Sequence, residues 1–270
     1  MDTGIGQEQN MQKIVSFDFD KTLYDHGTGT IPASALKALD LLRENGHLIV
    51  LATGRDMDNP FSKPFLEVRR PDARVDQNGA KIIAGDELLF EHYIDKALLK
   101  RMMAYADAQG VGLGVTLGND DYYVCPERVR EAELHRWGEC GRQFRDPMEL
   151  LSLPVRTVSF IGSTKEAEAM EHAFPEVSLR MFSIDYGADV VEKGLSKAEG
   201  LRRLCAHYGL DMRDSFAFGD SMNDMEIIEE AAVGIAMGNA RAELKAIADY
   251  ITTDITEDGI WNACRHYKLI

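Results

Sequence analysis

Ile14-Val15-Ser16-Phe17-Asp18-Phe19-Asp20-Lys21-Thr22 joins a short apolar run to two carboxylates and a hydroxyl. The run reads as a buried strand, with Asp18 and Asp20 at its carboxyl end. Residues i and i+2 of extended backbone point to the same side, so both carboxylates can address one small volume beyond the strand. Such a volume suits a phosphoryl group and a divalent cation. Taken alone, Asp-x-Asp is equally the Asx-type turn that ends a strand. Three later segments bear on the choice.

His47-Leu48-Ile49-Val50-Leu51-Ala52-Thr53-Gly54-Arg55 is a second apolar run, ending in a hydroxyl, a glycine and a cation. Thr53 and a backbone without a Cβ can donate to an anionic oxygen at close range, although the same residues serve a plain strand exit. Ser196 and Glu199 have capping-box spacing, followed by Leu201, Leu204, Cys205 and Tyr208 on one helical face and Gly209 as the stop. Lys197 then falls in a first helical turn, where a cation opposes the helix dipole unless an anion faces it. A solvated lysine is the alternative there. Ser215-Phe216-Ala217-Phe218-Gly219-Asp220-Ser221-Met222-Asn223-Asp224 is a third strand ending in acids. If a helix follows Gly219, Asp220 and Asp224 share one of its faces, where they could also simply complement its dipole.

Asp18-x-Asp20-x-Thr22, Leu51-Ala52-Thr53-Gly54-Arg55, Lys197 and Gly219-Asp220-x-x-Asn223-Asp224 resemble, in that order, the four motifs of the haloacid dehalogenase superfamily. The match is nearest to its Cof-like sugar-phosphate phosphatase branch. Asn78-Gly79-Ala80, Gly194-Leu195-Ser196-Lys197 and Ala236-Met237-Gly238-Asn239-Ala240 add to the resemblance, which runs from Lys13 onward. Four ordered motifs across about two hundred residues are specific where any one is not.

The resemblance implies a Mg2+-dependent phosphatase of small phosphate monoesters. Asp18 would be the carboxylate nucleophile that forms an aspartyl-phosphate, and Asp20 the general acid and base, with a pKa raised by neighbouring carboxylates. Thr53, Gly54, Arg55 and Lys197 would bind the phosphoryl oxygens. Asp18, Asp220 and the backbone carbonyl of Asp20 would hold Mg2+, with Asn223 and Asp224 orienting them from behind. A cation is also called for on electrostatic grounds, since two carboxylates about 4 Å apart repel by about 4 kcal/mol at an effective dielectric of about 20. Asn78 is a possible substrate contact or only a hairpin turn. Lys21 stands where the family usually carries glycine and is expected to point outward. Pro60 and Pro64 limit where a helix can begin and leave a substrate-facing role for residues 56–63 open. A phosphomutase of the same superfamily and a non-enzymatic phospho-aspartate switch are the alternatives.

Composition agrees with an ordinary cytoplasmic enzyme. The 270 residues are 45% hydrophobic, enough for one large domain or two smaller ones, and a formal charge of −15 argues against nucleic acid or an anionic membrane as partner. A small phosphorylated metabolite must therefore be attracted by local positive charge. Cys125, Cys140, Cys205 and Cys264 lack metal-ligand spacing and are expected to be reduced, and the seven histidines show no zinc pattern. The polar opening, residues 1–10, reads as a disordered leader, and no run has transmembrane length.

Strands and helices alternate as in a parallel sheet covered on both faces. A crossover helix starts near Pro32, with Leu36, Leu39 and Leu42 on one face and Gly46 at its end, and later strands are expected over 216–218, 233–236 and 250–252. Between these, a helix over 95–108, strands over 111–117 and 122–125 joined by residues 118–120, a strand over 155–161, a helix over 165–173 and a strand over 177–183 form an inserted α+β cap. The expected division is a Rossmann-like α/β core over 11–82 and 190–270 and a cap over 83–189. Cap closure would hinge near Gly85 or Gly194.

Overall fold

A four-residue run as apolar as Ile14–Phe17 is stable only when covered on both faces, and in the computed structural model it is the fully buried β1 near the middle of an eight-stranded sheet. The structure describes residues 11–60, 62–137, 143–182 and 186–270, and the side chains of these residues apart from 133–137. The leader expected over residues 1–10, and Cys140, lie outside them.

In chain order the first elements are β1 (Ile14–Phe17), α1 (Ala33–Glu44), β2 (Leu48–Ala52), α2 (Lys63–Val68), β3 (Ala73–Asp76), β4 (Lys81–Ala84) and β5 (Glu87–Glu91). The inserted segment contains α3 (Lys96–Gln109), β6 (Gly112–Leu117), β7 (Asp120–Val124), α4 (Pro126–Trp137), β8 (Val158–Ser163), α5 (Thr164–Ala173), β9 (Val177–Met181) and β10 (Tyr186–Glu192). The chain then returns through α6 (Lys197–Tyr208), β11 (Ser215–Gly219), α7 (Met225–Glu230), β12 (Val233–Ala236), α8 (Ala242–Ile247), β13 (Tyr250–Ile251) and α9 (Gly259–His266).

The larger sheet has the order β13-β12-β11-β1-β2-β3-β4-β5, parallel through β3 and antiparallel beyond it. In α1, Ala35, Ala38, Leu39 and Leu42 form the buried stripe, while Leu36 is only half-buried. Phe17 and Phe218 stack across β1 and β11 with ring centroids 4.7 Å apart. Since β1 lies between β2 and β11, the residues following those three strands stand side by side at one sheet edge. That edge receives Asp18, Thr53 and Asp220.

The smaller sheet, β7-β6-β8-β10-β9, is antiparallel and has its own core, in which Leu99, Met102 and Ala106 of α3 and Met170 of α5 pack on Phe160 and Val190. Asp120 belongs to β7, so the β6–β7 turn is only Gly118 and Asn119, and β8 starts at Val158 where residues 155–157 were expected to pair. β5 pairs in the larger sheet and β10 continues to Glu192 in the smaller, so the boundaries at 83 and 189 fall several residues inside the observed sheets. Gly85 closes the β4–β5 turn and is not at a crossing between the sheets, whereas Gly194, with a φ of 92°, lies on the return path. The two crossings are tied by His92 Nε2 and Glu192 Oε2, 2.6 Å apart.

Asp76 ends β3 fully buried, with no hydrogen bond to either carboxylate oxygen and Arg74 Nη1 at 3.4 Å. Burial pushes its pKa up to about 7, Arg74 opposing and Asp58 and Asp56 adding to the rise. An unfolded aspartate titrates near ~3.9, so between that value and about 7 the folded chain holds a proton the unfolded chain has lost, and stability falls as pH rises through this window. Asp76→Asn is expected to flatten the fall in stability between about pH 4 and pH 7 by up to about 4 kcal/mol, read from thermal melts across that range.

Candidate active site

Asp18 follows β1 directly, and its backbone N–H donates to the Phe218 carbonyl at 3.0 Å. Lys197, at the start of α6, is 1% exposed, and its Nζ donates to Asp18 Oδ1 at 2.6 Å and to Asp224 Oδ1 at 2.7 Å. It is a buried ion-pair centre, not a solvated lysine. Ser196 caps this helix by accepting from the Glu199 N–H at 3.1 Å, while the Glu199 carboxylate turns to Arg202 and Arg203, so only half of a capping box forms.

Asp220 and Asp224 approach by a route other than helical spacing. The chain makes one 3-10 turn over Met222–Asp224 before α7 begins. Asp224 Oδ2 folds back to accept from the N–H groups of Asp220 at 3.1 Å and Ser221 at 3.0 Å. Both Asp224 oxygens are thus engaged, which leaves the Asp220 carboxylate facing Asp18, with Thr22 Oγ1 3.4 Å from Asp220 Oδ1. Burial pushes Asp18 up to about 7, with Lys197 opposing and Asp224 and Asp20 adding to the rise. Asp220 is driven well above the carboxylate range by burial and by Asp18 and Asp224. Burial works against the charge of Lys197, yet its two carboxylates hold it above the ordinary lysine value.

Asp18, Asp220 and Asp224 offer oxygens within 4.8 Å of one another. An all-oxygen donor set with excess buried negative charge fits a hard divalent cation. Asp224 is the third carboxylate of this group.

Asp20 points elsewhere. Its carboxylate accepts two bonds from Arg55, at 2.8 and 2.6 Å, and contacts His26 Nε2 at 2.7 Å. Burial favours its neutral form, but the bonds from His26 and Arg55 outweigh it and hold its pKa down at about 2. The expectation of a raised value is therefore reversed: its nearest neighbours are cations and donors, not carboxylates. Arg55 is steadied by Phe19 and Phe65, its guanidinium lying 5.0 and 5.7 Å from their ring centres.

Thr53 is buried after β2, its hydroxyl accepting from the Arg55 N–H at 3.1 Å. Asn78 sits in the turn between β3 and β4 with φ of 53°, so it is a turn residue, and its side chain reaches other groups of the candidate site. Its Nδ2 donates to Asp189 Oδ2 at 2.8 Å, and its Oδ1 accepts from Asn223 Nδ2 at 3.1 Å. Gly54 leaves room for this group, because a Cβ there would lie 2.5 Å from Asp189 Oδ2. Gly79, with φ of 97°, is needed for close approach, since its Cβ would fall 2.4 Å from the Ser196 carbonyl oxygen.

Lys21 has a φ of 60°, in the left-handed region that glycine adopts most readily, and it is half-buried with its charge acting on Asp220. The Asn239 side chain donates to the Lys21 carbonyl at 2.8 Å and accepts from the Ile255 N–H at 3.0 Å, bracing this loop. Within 56–63, Asp58 is committed to Arg74 and Lys81. His26 and Asp189 were not read from the sequence. His26 belongs to no motif, and Asp189 is one acid in a strand of the inserted sheet.

The family profile of the haloacid dehalogenase-like hydrolases matches residues 15–264. YkrA of Bacillus subtilis is 31% identical over 266 residues, covering 96% of this chain and 98% of its own. The phosphatase YwpJ of the same organism is 32% identical over 286 residues, covering 94% of this chain and 99% of its own. Among solved structures, the HAD subclass IIB sugar phosphatase BT4131 superposes with a TM-score of 0.86 at 28% identity, over 96% of this chain and 100% of its own.

Lys197→Met would leave Asp18 and Asp224 buried without their counter-charge. Removing one partner of such a pair costs about 3–5 kcal/mol at neutral pH. Part of the loss should return toward pH 5, as the orphaned carboxylates take up protons, and melts of variant and parent at pH 5 and 8 measure it.

Proposed function

This chain belongs to the haloacid dehalogenase-like hydrolase family and is a phosphatase of small phosphorylated molecules; we propose that it works through an aspartyl-phosphate on Asp18, with Mg2+ as its cation. The observation that carries this reading is Lys197 held between Asp18 and Asp224, with Asp220 beside them, at the ends of adjacent parallel strands.

Asp18 would attack the phosphorus in line with the departing alkoxide, dividing hydrolysis into two easier steps. Lys197 and the Thr53-Gly54 segment would bind the phosphoryl oxygens, whose charge the site must match in the transition state. Asp18 and Asp220, with the Asp20 backbone carbonyl by family resemblance, would hold the cation, and Asp224, already bonded to Lys197 and two backbone amides, would keep them in place. When bound, Mg2+ supplies positive charge against the repulsion between Asp18 and the phosphoryl oxygens.

Asp20 would serve both halves of the reaction. The grip of Arg55 and His26 keeps it ionised, the form that accepts a proton from the attacking water. To protonate the leaving oxygen first, it must exchange those partners for the substrate. Sugar phosphates or related metabolites are the proposed substrates. Support comes from the likeness to BT4131; Asn78, Asn223, Arg180 and Glu226 line a small cavity beside Lys197 with room for about one water. The free thiols Cys125, Cys205 and Cys264 support a cytoplasmic setting. Among the described residues no helix is long and apolar enough to cross a membrane.

Phosphate release from an aryl phosphate and a panel of sugar phosphates, with and without Mg2+, tests the proposal. Release should require Mg2+, and Asp18→Asn should lower it by at least about a thousandfold. Metal-independent release, or an active Asp18→Asn enzyme, would sink the mechanism. The raised pKa values of Asp18 and Asp220 add a pH dependence, because both must be deprotonated to ligate. Apparent Mg2+ affinity should therefore rise between about pH 6 and pH 8, measured by calorimetry.

A further inference from the structure

Asp189 is the carboxylate that the inserted sheet sends into the site. It lies on β10, with Oδ2 accepting from Asn78 at 2.8 Å and packed over Gly54 so closely that a Cβ would stand 2.5 Å away. Its charge is felt by Asp20 and by Lys197. Among the described residues Asn78 is its hydrogen-bond donor, and no lysine, arginine or histidine forms an ion pair with it. Asp189 is only partly buried, so its second oxygen is open to a ligand, and a fold that needed only to fill this space would be served by a neutral side chain.

Its position limits what it can meet. Gly54 belongs to the segment assigned to the phosphoryl oxygens, and Asp20 to the group that protonates the leaving oxygen. A side chain packed on the first and within electrostatic reach of the second faces the first atoms of the leaving group beyond the ester oxygen. There, an oxygen without a protein donor can accept from a hydroxyl, and its charge opposes a second anion.

We propose that Asp189 is a specificity-determining residue, selecting leaving groups that carry a hydroxyl beside the ester oxygen and rejecting those that carry a carboxylate there. This rests on the phosphatase reading for the placement of the phosphoryl group. Hydroxyl-bearing substrates would satisfy the open oxygen of Asp189 as they bind, while Asn78, bonded on its other side to Asn223, holds the carboxylate in register with the larger sheet.

The test is binding, so that it does not depend on turnover. Calorimetry with glycerol 3-phosphate, phenyl phosphate and 2-phosphoglycolate would compare Asp18→Asn with the same protein also carrying Asp189→Asn, Asp189→Ser or Asp189→Glu. Asp189→Asn and Asp189→Ser should lower the preference for glycerol 3-phosphate over phenyl phosphate by about tenfold or more and tighten 2-phosphoglycolate. Asp189→Glu should keep 2-phosphoglycolate excluded. An equal loss for all three ligands would mark a structural role and overturn the proposal. So would an unchanged preference, or no binding of any ligand to Asp18→Asn. Phosphate release by the unsubstituted enzyme judges the phosphatase reading separately, and its failure would leave these binding ratios readable.

Discussion

The site depends on one buried ammonium. Lys197 lies at the start of α6 with almost no contact with water and is bonded to Asp18 and Asp224, carboxylates from opposite ends of the chain. Without it, burial and mutual repulsion would favour protonating or separating the acids. With it, Asp18 stays at the carboxyl end of β1, and Asp224 is free to use its other oxygen on the backbone of Asp220 and Ser221. The same bond pins α6 to the sheet, so fold and site share a constraint. Replacing a buried ion pair by apolar packing is often neutral for stability, so stability alone does not account for this arrangement.

Around that centre the carboxylates are sorted by their neighbours. Asp18 and Asp220 sit in dry surroundings with excess negative charge, and their protons are held tightly. Asp20, only two residues from Asp18, is kept ionised by Arg55 and His26. Environments that push like groups apart in this way let two aspartates of one motif take different parts in a reaction. The inserted sheet adds a third environment, bringing Asp189 over Gly54, where among the described residues no cation forms an ion pair with it. The crossing strands that carry it are held by His92 with Glu192 and by Arg156 with Glu91, and Arg180 of β9 reaches Glu226 of α7 beside the cavity.

Much of this was legible in the chain. Ile14–Phe17 and Ser215–Gly219 announce buried parallel strands by apolar runs that end in acid, and the motif order places those ends together once a parallel sheet is assumed. The antiparallel extension through β4 and β5 was not legible, because Asn78-Gly79 signals a turn without saying that the strands beyond it join the same sheet. The cap was visible as a change of pattern, but its edges were not, since β5 and β10 pair past the point where the pattern shifts.

What the sequence alone determined was the set of chemical groups and their order along strand ends and one helix start: Asp18, Asp20, Thr53, Lys197, Asp220 and Asp224, each next to an apolar run or face. Side-chain type and local periodicity are properties of short segments, so they survive without coordinates. Only the tertiary structure decided what each group faces. Asp20 meeting Arg55 and His26, Lys21 held in left-handed backbone near Asp220, and Asp189 lowered onto Gly54 all depend on contacts between segments distant in the chain or on a turn's dihedral angles. Charge state and accessibility follow from those contacts through burial and Coulomb interaction, which no linear pattern encodes.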